Sequence, residues 1–212
     1  MKIKIVTIVI LIFSIICSIL LNDSFLGCVT LICGLLDAYY SSIGKIYNYF
    51  FGALYYIFSG YICYQNGLYG IAFLSFTIYY LSQIEGYISW NKNKIGSSVK
   101  IRGFNLYNSI LVVLFCILGS LIFGLILSNI KSQRLAFLDA SSNILNLCGI
   151  VLMNLRYKEC WIVMLFNNLI DLIIWLISAI NSSPNSLIML VVSLGYFIIN
   201  LYGIRIWYKK SS

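Results

Sequence analysis

Asn167, Asp171 and Trp175 follow one another at i, i+4 and i+8, a spacing that lays an amide, a carboxylate and an indole along one helix face. Asn168 lies beside them. Amides can satisfy hydroxyls or a carboxamide, an indole can stack on a ring, and a carboxylate can balance positive charge. This face could therefore recognise an uncharged polar solute, or a cation that carries an aromatic ring. Gln83 and Asn200 extend the set through a repeated pattern, Gln83-x-x-Gly86-x-x-x-Trp90-x-Lys92 and Asn200-x-x-Gly203-x-x-x-Trp207-x-Lys209, with Tyr79 and Tyr196 at matching offsets. A membrane protein built twice from one unit tends to hold its site between the halves. Tyr79, one turn from Gln83, and Tyr55 are the tyrosines expected in such a pocket. Hydrogen bonding between helices that only stabilises a bundle is the competing use of these side chains.

Bond-breaking chemistry has no comparable constellation, so no enzyme is expected. The 212 residues include no histidine, which excludes a histidine relay or a histidine zinc site, and the 7 cysteines form no CxxC pair. All lie in or beside apolar runs, as small packing residues do. No G-x-x-x-x-G-K-[ST] sequence occurs, so ATP coupling within the chain is unsupported, and neither cofactor nor metal is expected. A net charge of +8 would suit a nucleic-acid binder. Here the charge is scattered through short loops beside apolar runs, which makes the lipid bilayer the expected partner and nucleic acid not.

The elements that must position these residues are membrane helices. The chain is 61% hydrophobic and 9% charged, against roughly 25% charged in an ordinary soluble domain. Its apolar runs are long enough for a hydrocarbon layer of roughly 30 Å. The runs predict helices over 5–21, 24–41, 47–65, 68–90, 106–129, 135–155, 160–180 and 186–207, an all-α polytopic fold. Lys2 and Lys4 before the first run resemble a signal peptide, but Asn22-Asp23-Ser24 carries no clear cleavage pattern, so an uncleaved helix is expected. Numbering sides alternately puts all of the 14 Lys and Arg residues except Lys131 and Arg134 on one side, which predicts cytoplasmic termini.

Three helices precede the 106–129 helix and three follow it in the same orientation. The expected organisation is an N-terminal helix (1–22), a first three-helix repeat (24–91), a cytoplasmic loop and linker helix (92–134) and a second repeat (135–210). Gly86 and Gly203 would permit close backbone approach, Trp90 and Trp207 would anchor at the lipid boundary with Lys92 and Lys209 among headgroups, and the shared spacing argues for two related helix-packing surfaces. Glu85 and Asp37 are expected near the inner boundary without an assigned role.

The order of Gly44-Lys45-Ile46-Tyr47-Asn48-Tyr49-Phe50-Phe51-Gly52, Asn66-Gly67-Leu68-Tyr69-Gly70 and Gly86-Tyr87-Ile88-Ser89-Trp90 resembles the PnuC family of bacterial nicotinamide riboside transporters. Leu138-Asp139-Ala140, Leu152-Met153-Asn154-Leu155-Arg156-Tyr157-Lys158-Glu159-Cys160-Trp161 and Tyr202-Gly203-Ile204-Arg205-Ile206-Trp207-Tyr208-Lys209-Lys210 extend the likeness over roughly residues 26 to 210. The resemblance implies a SWEET-like 3+1+3 plan in a bacterial plasma membrane. It implies facilitated diffusion of a vitamin precursor, trapped afterwards by a separate cytoplasmic kinase. It also adds Trp161 to the substrate-binding set, because Trp161 and Trp175 match tryptophan-rich positions of the family, and it supports Asn168. The chain departs from the family pattern at Ser75 and at Ser82-Gln83-Ile84-Glu85. Thiamine or riboflavin is therefore an alternative solute, and a nonconducting receptor or assembly subunit the alternative from another class. Association of several such pores into a homo-oligomer is compatible with the sequence.

Overall fold

A computed structural model describes residues 2–95 and 98–211; the side chains of Lys2 and Lys94, two of the expected basic set, and Met1 of the first segment lie outside the described residues. Among the described residues there are eight helical spans. They are α1 (Lys2–Leu20), α2 (Phe25–Ser42), α3 (Asn48–Gln65), an α4 made of three consecutive parts (Tyr69–Leu74, a π-helical Ser75–Tyr79 and Tyr80–Lys92), α5 (Leu106–Ser128), α6 (Ala136–Asn154), α7 (Cys160–Ile180) and α8 (Ser186–Ser211). Their ends fall within a few residues of those expected from the apolar runs. A short antiparallel hairpin, β1 (Lys94–Ile95) and β2 (Ser98–Val99), was not expected and follows α4.

Helices are what this composition must form in lipid, because only they satisfy backbone groups within one segment. Among the described residues, six are long and apolar enough to cross a membrane: α1, α2, α5, α6, α7 and α8. α3 and α4 are absent from that set. Both carry tyrosines, amides and serines that face the interior, where polarity is tolerated only against protein or a water-filled cavity. α1 and α5 lie at the opposite extreme, exposing Ile8, Val9, Ile19 and Leu20, and Leu118, Ile122 and Leu125. Such faces suit lipid.

Contacts between helix ends fix the direction of each span. At one end Thr7 Oγ1 and Tyr40 OH are 3.0 Å apart, joining early α1 to late α2. At the same end the Arg102 N–H donates to Arg156 O at 2.8 Å and the Lys158 N–H to Arg102 O at 2.9 Å, so the loops before α5 and before α7 share a face. At the other end the Asn66 Nδ2 donates to Pro184 O at 3.0 Å, the Arg134 N–H to Gly67 O at 2.8 Å, and Asn185 Nδ2 to Asp23 Oδ1 and Ser24 Oγ. α2–α4 and α6–α8 consequently run in the same sense. Lys131 and Arg134 sit apart from the other described cations.

Trp90 and Trp207 correct an expectation. Instead of anchoring at a lipid boundary, both are fully buried. Trp90 of α4 donates its indole N–H to Met153 O at the end of α6 (2.8 Å), and Trp207 of α8 donates to Ser42 O at the end of α2 (3.1 Å). The last carbonyls of a helix have no partner within it, so each indole caps a helix of the other triplet. The two rings also meet, with centroids 5.8 Å apart. Trp90→Phe removes one buried N–H···O bond and is expected to cost about 1–3 kcal/mol. Thermal unfolding in detergent checks this, and an unchanged midpoint would contradict it. Lys92 and Lys209, by contrast, are exposed as expected.

Candidate functional site

Two apolar clusters lie at different heights in the bundle. One gathers Leu31, Leu35, Ile62, Ile174, Trp175, Ile188 and Met189; the other gathers Tyr49, Trp90, Leu152, Met153, Trp161 and Trp207. Between them lies a cavity of about 100 Å³. A single water needs roughly 10–15 Å³ on the same measure, so the space suits a solute of several waters' size.

Tyr55, Tyr79, Gln83, Trp161, Asn167, Asn168, Asp171, Trp175 and Asn200, singled out from the sequence, all line this cavity. Gly86 and Gly203 act one layer behind it. A Cβ on Gly86 would overlap the Tyr49 ring and Asn154 Oδ1, and one on Gly203 would overlap the Trp161 ring. In each triplet, then, a glycine of the third helix makes room for an aromatic residue at the start of the second.

Local structure aims the rest. The π-helical segment in α4 inserts an extra residue into the turn, and such bulges recur where side chains must be re-aimed at a site. Gly60 of α3 packs against it: a Cβ there would come within 2.9 Å of Ser75 Cβ. Downstream, Tyr79 donates its hydroxyl to Asn143 O and Oδ1 at 2.8 and 2.9 Å. Gln83 Nε2 donates to Tyr79 O at 3.3 Å. The start of α4 has no side-chain cap of its own. Asp139 of α6 supplies one, its Oδ2 accepting from Gly70 N and its Oδ1 from Ile71 N, both at 3.0 Å.

Hydrogen bonding separates engaged polar groups from unengaged ones. Asp171 accepts from Ser142 Oγ at 2.5 Å and from Asn167 Nδ2 at 3.0 Å. Asn48, Ser75, Trp161, Asn167, Asn168 and Asn200 line the cavity, and each carries a buried side-chain polar atom without a protein partner: Asn48 Oδ1, Ser75 Oγ, Trp161 Nε1, Asn167 Oδ1, Asn168 Nδ2 and Asn200 Nδ2. A buried polar group left unpaired costs about 1–3 kcal/mol, so these six are groups that a bound solute or ordered water would satisfy. Amides, hydroxyls and rings of this kind suit binding a polar solute, and no cluster of three or more metal-ligating side chains occurs among the described residues.

Sequence reasoning missed several lining residues. Asp37, expected near the inner boundary, faces the cavity from α2, whereas Glu85 is exposed and away from it. Ser142, Asn143 and Asn146 of α6 also face inward. Their spacing with Asp139 is the same helical periodicity that exposed the α7 stripe, and applying it to α6 would have found them. Tyr196 was legible as the counterpart of Tyr79.

A family model described as "Nicotinamide mononucleotide transporter" matches residues 24–209. The nicotinamide riboside transporter PnuC of Neisseria mucosa is 28% identical over 193 residues, covering 88% of this chain and 73% of that protein. PnuC of Haemophilus influenzae is 27% identical over 191 residues, covering 88% and 80%. A solved structure described as "Crystal structure of the Vitamin B3 transporter PnuC" superimposes with a TM-score of 0.86 at 25% identity, over 98% of this chain and 91% of that one.

Proposed function

Because the chain belongs to the nicotinamide mononucleotide transporter family, whose members are membrane transporters and not enzymes, we propose that it carries nicotinamide riboside across a bacterial plasma membrane by facilitated diffusion. The observation that carries this reading is the set of six cavity-lining residues that each keep a buried polar atom without a protein partner. A carboxamide needs both a donor and an acceptor, and ribose hydroxyls need either. Asparagine amides, an indole N–H and a serine hydroxyl supply these, while Tyr55, Tyr79 and Trp175 offer rings for stacking.

Family and relatives differ in their names by a phosphate, mononucleotide against riboside. The lining supports the riboside, because among the described residues it includes no Lys or Arg to meet a phosphate and does include Asp37 and Asp171. The end rich in Lys and Arg faces the cytoplasm in this reading, as do both termini. Two parallel triplets rock about the cavity, and a separate kinase traps the solute after it crosses.

Uptake of labelled nicotinamide riboside into proteoliposomes tests the reading. The purified protein is expected to move it, to leave nicotinamide mononucleotide outside, and to respond little to an imposed proton gradient. Movement of thiamine or riboflavin in its place would transfer the assignment to that solute, and binding without movement would make the protein a receptor. Within the same assay Asn168→Leu removes one expected hydrogen bond to solute. A loss near 1.4 kcal/mol is about tenfold in affinity, and affinity within twofold of the parent would remove Asn168 from the site.

A further inference from the structure

We propose that Asp37 makes this carrier selective for a positively charged aromatic ring, with Tyr55 and Tyr196 completing the subsite. The inference rests on the nicotinamide riboside reading and deepens it.

The cavity lining holds two carboxylates and, among the described residues, no Lys or Arg to neutralise either. Asp171, the residue first expected to balance charge, already has both oxygens engaged by Ser142 and Asn167. Asp37 differs. Its Oδ1 has Ser41 Oγ at 3.4 Å and its Oδ2 has Tyr196 OH at 3.4 Å. Hydroxyl donors that truly engage a carboxylate sit at about 2.5–2.7 Å. The nearest donors thus leave Asp37 weakly held, in a place where an unpaired charge is costly. A cation brought in by the solute supplies the missing partner.

The aromatic neighbours are arranged for a ring cation. Tyr55 and Tyr196 meet edge to face, with centroids 5.6 Å apart and planes at 63°. One turn before Asp37 on α2, Gly34 makes this possible: a Cβ there would come within 3.0 Å of the Tyr55 ring and 3.4 Å of the Tyr196 ring. Glycine and aspartate on one face of α2 therefore put a carboxylate beside two tyrosine rings, and electron-rich ring faces attract cations. Gly52 of α3 has a similar use beside Asp37. A Cβ on it would come within 3.2 Å of Asp37 Oδ1 and would overlap Gln83 Oε1. The Asp37 carboxylate and the Gln83 amide thus lie close together, and both line the cavity, where one can face a ring's positive charge and the other its carboxamide substituent.

Uptake of nicotinamide riboside, whose ring is cationic, is compared with uptake of 1,4-dihydronicotinamide riboside, which has the same sugar and carboxamide on a neutral ring. The readout is the ratio of the two within one preparation, so partial unfolding lowers both and leaves the ratio alone. Asp37→Asn keeps the shape and removes the charge; it is expected to lower the cation-to-neutral ratio at least tenfold, while Asp37→Glu keeps the ratio within about threefold of the parent. An unchanged ratio in Asp37→Asn, or loss of both solutes alike in both variants, makes Asp37 a structural residue and overturns the proposal. If the parent protein moves neither solute, the transport reading itself falls and the subsite with it.

Discussion

Asp139→Ala is expected to lower the thermal midpoint of the detergent-purified protein by roughly 10 °C or more. Asp139 is fully buried and accepts from four donors: Gly70 N, Ile71 N, Gln133 Nε2 and Asn143 Nδ2. Alanine strands two backbone N–H groups in the first turn of α4 and takes one acceptor from each of two amides, which keep Arg134 O and the Asp139 backbone carbonyl. With about 1–3 kcal/mol for each buried group left unpaired and partial rescue by rearrangement or water, a total on the order of 3–5 kcal/mol is expected. Asp139→Asn is informative beside it. One amide end turns donor against donor, so it should retain only part of the cap. A midpoint within about 2 °C of the parent for Asp139→Ala would show that α4 starts without this carboxylate.

Gly203→Leu should bring uptake to background, a fall of more than 100-fold. The Cβ alone would overlap the Trp161 ring, which is buried against Trp207 with centroids 5.7 Å apart and has nowhere to retreat except into the cavity. Overpacking of this kind typically costs about 1–3 kcal/mol, and here it also pushes a lining residue into the solute's space. Gly86→Leu is the matching change in the first triplet, against Tyr49 and Asn154. Pairing Gly203→Leu with Trp161→Ala is expected to recover the thermal midpoint without recovering uptake, because the colliding ring also faces the cavity. Uptake by Gly203→Leu within tenfold of the parent, normalised to reconstituted protein, would refute the close-approach role.

Helices, their ends and the sorting of charge were legible because lipid leaves little choice: a run of apolar residues must be helical, and its flanks carry the cations. The α7 stripe was legible for the related reason that a polar face in an apolar helix stands out. Trp90 and Trp207 were misread because their neighbours Lys92 and Lys209 do lie at the surface, while the indoles turn inward to carbonyls more than sixty residues away along the chain. Nothing local encodes that partner. The cap on α4 is hidden in the same way, since Gly70 and Asp139 belong to different triplets. Asp37 sits in an ordinary apolar stretch, and only the approach of Tyr196 from α8 reveals what it faces.

The exchange in which Trp90 closes α6 and Trp207 closes α2 has the form of an isologous contact: patch one grips patch two while patch two's twin grips patch one's. α5 supplies neither donor nor acceptor to either grip, although its Val112 and Cys116 pack against the same cluster, so the covalent tether sets stoichiometry and leaves the handshake intact. Cutting the polypeptide within the loop before α5 and producing the pieces together should therefore yield a nicked protein whose halves still find each other.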